Sequence, residues 1–137
     1  MHKLSLGKRT ELRVWSWLID EGFDVYPSLV DDKGIDGLVG FKGCYYEVQI
    51  KSGKNWSNQR GIKADILANH PNRIFLIVNY TLDEVRYFTS TDILNEQEWT
   101  ESTKWKIPQI KLNRKMLEKY QAHDWDGFVQ HLQSGQA

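Results

Sequence analysis

The chain has 137 residues, of which 40% are hydrophobic and 12% aromatic, enough for one domain (1–137) with a sizeable core. Charged residues make up 26% and the formal net charge is zero, which excludes a disordered chain and a strongly basic nucleic-acid sponge. No apolar run approaches the ~20 residues of a membrane span, residues 1–8 carry no secretory apolar stretch, and the lone Cys44 makes neither an internal disulfide nor a zinc site, so the expectation is an intracellular protein.

Residues 5–21 read as a helix. Leu12, Trp15 and Ile19 fall at helical spacing, Val14 and Leu18 widen the stripe, Ser5 is a candidate N-cap and Gly22 a candidate stop. Phe23 to Tyr26 alternates like a strand and meets Pro27. Asp31-Asp32-Lys33-Gly34 is turn chemistry. Residues 35–41 read as a second strand, Lys42-Gly43 as a tight turn, and 44–51 as a third strand. In that third strand Tyr46, Val48 and Ile50 are apolar while Glu47, Gln49 and Lys51 share the other face.

Residues 52–60 form a polar loop, and 62–69 suggest a short helix ended before Pro71. Arg73 to Tyr80 is nearly continuous apolar, as a strand covered on both faces would be. Residues 84–89 alternate like a more exposed strand. Thr91 or Asp92 caps a helix through about Trp99, and 100–109 connect to helical residues 113–133, broken near Asp126-Gly127. The order is an α/β sandwich with a mixed sheet, a meander followed by a crossover.

Charge is segregated along this layout. Six acids lie between Asp20 and Asp36 against Lys33 alone, and four bases lie between Lys51 and Asp65. Asp36 stands near the start of one strand, and Gln49 and Lys51 share a face of the next. With a short turn between the strands, the three can meet at one end of the sheet. A carboxylate is a hard oxygen ligand suited to Mg²⁺, and the Ile50 carbonyl offers another oxygen. A Lys there can orient a water or offset charge on a phosphate. These are the parts of metal-assisted phosphodiester hydrolysis. The plainer alternatives are that Asp36-Gly37 is a turn pair, that Glu11 is a solvated residue paired with Lys8, and that Lys51 ends a strand at the surface.

Two stretches, Gly34-Ile35-Asp36-Gly37-Leu38-Val39 and Tyr46-Glu47-Val48-Gln49-Ile50-Lys51-Ser52, follow a helix containing Glu11. Together they resemble the PD-(D/E)xK, or restriction-endonuclease-like, superfamily over roughly residues 5–90. The resemblance implies a three-layer sandwich, a central mixed sheet flanked by helices. Its core order is α-β-β-β-α-β-β, with C-terminal helices added. It implies a Mg²⁺-dependent endonuclease acting on DNA, with Mn²⁺ as substitute and RNA not excluded. Asp36 matches the family's first metal-binding acid, Lys51 its lysine, and Glu11 the helix acid that some branches add. Metal ligands would be Asp36, Gln49 and Glu11, and catalysis would use these with Lys51.

Two departures stand out. Ile35 replaces the proline, and Gln49 replaces the second acid, as in branches similar to it that use Q-x-K. A Gln amide oxygen ligates a hard cation without formal charge, so metal affinity should fall. Glu47, on the same face, is read as structural. The following loop offers Lys54, Trp56, Arg60 and Lys63 to nucleic acid, cations for phosphates and a ring for stacking, although Trp56 could equally pack on the core. A domain this small is either structure-selective or nonspecific, or acts as a homodimer. The alternative function is an inactive domain of the same fold that binds nucleic acid or a protein.

Overall fold

The computed structural model describes residues 6–29, 36–53, 61–63, 67, 69–79, 84–96, 100–101, 108–111 and 114–135, with backbone alone at 61–63, 100–101 and 108–111. The expected cap Ser5, the turn at Asp31 to Gly34 and the loop from Lys54 to Arg60 lie outside the described residues.

Helix α1 spans Leu6–Asp20 and buries Thr10, Val14, Trp15 and Leu18. The buried row is thus the i, i+4 series 10, 14, 18 plus Trp15, not the series through Leu12 and Ile19, which are 44% and 59% exposed. Thr10 can occupy that row because its hydroxyl donates to the Leu6 carbonyl at 2.8 Å. Gly22 stops the helix with φ 96°, a left-handed conformation that lets the Phe23 N–H reach back to the Leu18 carbonyl at 3.0 Å.

Strands β1 (Asp24–Pro27), β2 (Gly37–Phe41) and β3 (Cys44–Gly53) form the expected antiparallel meander. Lys42 and Gly43 both have positive φ, 49° and 81°, as the mirror-image hairpin turn that matches strand twist requires. After β4 (Gly61–Lys63), β5 (Arg73–Asn79) lies parallel to β3 and β6 (Val85–Thr89) antiparallel to β5. The sheet order is β1-β2-β3-β5-β6.

The two faces of this mixed sheet bury separate apolar clusters. Val39, Tyr46, Val48, Ile74, Leu76 and Val78 pack against α1 and the C-terminal helix, while Phe75, Ile77 and Phe88 pack against Leu67, Ile93, Met116 and Leu117. Every residue of β5 is buried, the signature of a strand covered on both sides.

Helix α2 is Ser90–Leu94. Thr89 is its N-cap and forms a capping box with Asp92, two or three residues before the expected cap at Thr91 or Asp92. The helix ends at Asn95 rather than near Trp99. Strands β7 (Thr100–Glu101) and β8 (Pro108–Lys111) join β4 in a second sheet, order β4-β8-β7. This corrects two expectations. Residues 61–63 are strand, with helical backbone only at Leu67 and Asn69 among the described residues, and 100–109 is not a plain connector. Gly61 pairs with Lys111 across a long stretch of chain, and short polar strands of that kind carry little local signal.

Helices α3 (Arg114–Lys119) and α4 (Trp125–Gln133) replace one interrupted helix. The break precedes Asp124, whose carboxylate caps α4 by accepting the Gly127 N–H at 2.9 Å. Gly127 lies inside the helix because a Cβ there would stand 2.8 Å from the Ala122 carbonyl oxygen. A close approach, not a helix break, calls for glycine. No helix among the described residues is long and apolar enough to cross a membrane.

Candidate active site

The candidate site follows from unequal strand lengths. β2 pairs with β3 only from Cys44 to Val48, whereas β5 accompanies β3 from Glu47 to Gly53. Past Val48, the β3 edge that faces β2 therefore runs beyond Gly37, the first residue of that strand. Its backbone donors need other partners there.

Asp36 supplies one. Its Oδ2 accepts the Ile50 N–H at 2.6 Å, which puts the carboxylate against the backbone between Gln49 and Lys51. The Asp36 backbone is held on both sides as well. Its N–H donates to the Val48 carbonyl at 3.0 Å, and its carbonyl accepts the Ser28 N–H at 2.8 Å. Gly37 is the register partner of the same Val48, so Asp36 and Gly37 both address one residue, the two-against-one arrangement of a bulge. Bulges re-aim side chains, and here the re-aimed group is a carboxylate. Gln49 and Lys51 occupy alternate positions of β3 and are partly buried, on the face opposite Val48. Asp36, Gln49 and Lys51 are thus neighbours at one end of the sheet.

Glu11 lies on α1 one turn from Trp15. Its Oε1 accepts the Trp15 indole N–H at 3.2 Å and the Lys8 ammonium at 3.2 Å. Its side chain is only 13% exposed. Trp15 in turn lies on Gly37, the residue after Asp36: a Cβ there would meet ring atoms Cζ2 and Cη2 at 3.0 Å. The first turn of α1 also approaches β3, since a Cβ on Gly7 would touch the Ser52 hydroxyl oxygen at 3.4 Å.

Glu47 has a different employment. Its Oε2 lies 3.4 Å from the Nε of buried Arg73 and 3.3 Å from the Nδ1 of His70. Arg73 is 2% exposed, so Glu47 neutralises a cation that burial would otherwise leave costly. Glu96, away from this end, takes the Lys119 ammonium at 2.8 Å and the Tyr120 hydroxyl. The Lys119 hydrogen bond comes first among the causes that hold its carboxyl below the usual range. Among the described residues no three His, Cys, Asp or Glu side chains group as a metal would need. Lys54, Trp56 and Arg60 lie outside the described residues, and Lys63 sits in β4 with its side chain likewise outside them.

Sequence reading missed Trp15, Gly37 and Arg73. Trp15 read as core, and only its spacing of four from Glu11 hinted at a hydrogen bond.

No family model matches the chain, and no curated protein matches its sequence. Solved structures do match. The chain is similar to Hjc, a Holliday junction resolvase from the archaeal hyperthermophile Archaeoglobus fulgidus, at 14% identity and TM-score 0.60, over 92% of this chain and 97% of that one. It is also similar to the bacterial homing endonuclease I-Ssp6803I at 14% identity and TM-score 0.59, over 94% and 92% of the two chains. The mixed sheet with helices on both faces is the restriction-endonuclease-like fold.

Proposed function

We propose that this chain is a metal-dependent endonuclease that hydrolyses phosphodiester bonds in DNA, working as one domain over residues 1–137. The observation that carries the reading is the Asp36 carboxylate on the Ile50 N–H, which sets an acid beside Gln49 and Lys51. The fold shared with a junction resolvase and a homing endonuclease supports it.

The donor set is all hard oxygen: the Asp36 carboxylate, the Gln49 amide and the Glu11 carboxylate. That chemistry fits Mg²⁺, with Mn²⁺ as substitute, and its low charge fits weak binding. A bound divalent cation would lower the pKa of water and offset phosphate charge. Asp36 holds its oxygen in place through three backbone hydrogen bonds, so little reorganisation is needed. Lys51 orients the attacking water and offsets charge gathering on the phosphate. Lys54, Trp56, Arg60 and Lys63, directly after β3 in sequence, hold the flanking strand.

The test is incubation of the protein with single-stranded, duplex and branched DNA, and with RNA, with and without Mg²⁺. Cleavage should require the ion and fall by roughly a thousandfold in Asp36→Ala and Lys51→Ala. Undiminished cleavage by Asp36→Ala removes the mechanism. A second reading, an inactive domain that binds nucleic acid or a protein, is favoured by Gln49 standing where an acid is usual while Glu47 is paired with Arg73. Binding of DNA without ion-dependent cleavage would select it.

A further inference from the structure

The Trp15 indole touches both sides of the candidate site. Its N–H holds Glu11 Oε1 at 3.2 Å, and the far edge of the same ring would stand only 3.0 Å from a Cβ on Gly37. Trp15 is 3% exposed, so packing fixes its two side-chain torsions. Glu11 Oε1 already accepts two donors, Trp15 and Lys8, whereas Oε2 accepts none among the described residues. A rigid plate therefore spans from the helix carboxylate to the residue that follows Asp36. A tryptophan that only fills core would also need an acceptor for its buried N–H; what matters here is that the acceptor is the Glu11 carboxylate while the ring's other end packs on Gly37.

We propose that Trp15 is a positioning residue that sets the Glu11 carboxylate against Asp36, with Gly37 kept as glycine to admit its ring. This rests on the metal-dependent reading above. Two oxygen donors from different elements bind one cation well only if their separation is fixed beforehand. A rigid indole does this without adding charge.

The test is calorimetric titration with Mn²⁺ of wild type, Trp15→Phe, Glu11→Ala and the double variant, each checked for folding by circular dichroism. Trp15→Phe keeps most of the ring and removes the N–H. It should weaken Mn²⁺ binding roughly tenfold. It should raise the metal concentration for half-maximal cleavage to match, with little change in rate at saturating metal. The double variant should bind no more weakly than Glu11→Ala, because the indole acts through that carboxylate. In the proton NMR spectrum, the indole N–H signal lost in Trp15→Phe should shift in Glu11→Ala.

Wild-type affinity in Trp15→Phe, or losses that add in the double variant, overturns the positioning role while leaving the functional reading intact. Absence of Mn²⁺ binding by the wild type overturns that reading and this role with it. Should Trp15→Phe fail to fold, Gly37→Ala takes its place. It keeps the N–H but displaces the ring, and unaltered Mn²⁺ affinity there overturns the proposal.

Discussion

From Cys44 to Val48, strand β3 is paired with β2, and from Glu47 onward it is paired with β5. Beyond Val48 the β2 side is taken over by a side chain, that of Asp36. Both halves alternate polar and apolar residues in the same way. In the first half the polar face is spent on structure, since Glu47 neutralises buried Arg73 and meets His70. In the second half the polar face carries Gln49 and Lys51, beside a strand edge left open by the shorter neighbour. Where a strand outruns its partner, backbone groups must find other company, and here a carboxylate satisfies one of them at the strand's open edge.

The difference can be broken most sharply at Glu47. Glu47→Ala should destabilise the fold by about 3 kcal/mol, because it removes the carboxylate that offsets a buried guanidinium, yet leave cleavage per folded molecule near wild type. Urea unfolding and an assay normalised to folded protein check both halves of that statement. Gly37→Ala, at the junction of the two halves, should cost about 2 kcal/mol, since the added methyl meets the Trp15 ring and the Tyr26 carbonyl, each at 3.0 Å. Thermal melting measures it. Gln49→Glu acts on the second half alone. It should tighten Mn²⁺ binding about tenfold, roughly 1.4 kcal/mol, with the urea midpoint close to wild type. Weaker binding in that variant would show that the amide makes a contact a carboxylate cannot.

The smallest effect concerns the first half and α4. His131 packs on Tyr46 of β3 and on Tyr87, with ring centroids 5.7 and 5.6 Å away. Burial holds the His131 imidazole below its ordinary value, with His123 adding to the shift and Asp92 opposing it. A group that resists protonation when folded binds fewer protons than the unfolded chain does. Stability should therefore fall as pH drops below the unfolded value of about 6.5. His131→Gln should flatten that slope in urea titrations between pH 7 and 5. At more acid pH the lowered Glu96 carboxyl adds a loss of the same sign. Above about pH 10 the slope reverses, so that stability falls as pH rises. Burial raises the Tyr120 hydroxyl, and the folded state there holds a proton that the unfolded chain releases.

Much of this was legible beforehand. Alternation in residues 44–51 gave the strand and its two faces. Lys42-Gly43 gave the hairpin that brings Asp36 to β3. Period two set Gln49 and Lys51 on one face of that strand, and the short turn set Asp36 beside it. What stayed hidden depends on contacts distant in sequence. The second sheet joins Gly61 to Lys111, and nothing local to either announces the other. The rotation of α1, which buries Thr10 and exposes Leu12, depends on which face the sheet accepts. Gly127 looked like a helix breaker because the nearby Ala122 carbonyl, which demands glycine, cannot be seen without coordinates.

The two-residue turn at Lys42-Gly43 has a consequence for how the molecule assembles. Bringing β2 onto β3 closes a very short loop, whereas setting β5 beside β3 or β8 beside β4 closes far longer ones. Loop closure costs entropy that grows with length, so the hairpin carrying residues 36–51 can form from local contacts before the remainder docks. The region that carries the candidate site is therefore among the earliest order the nascent chain can acquire.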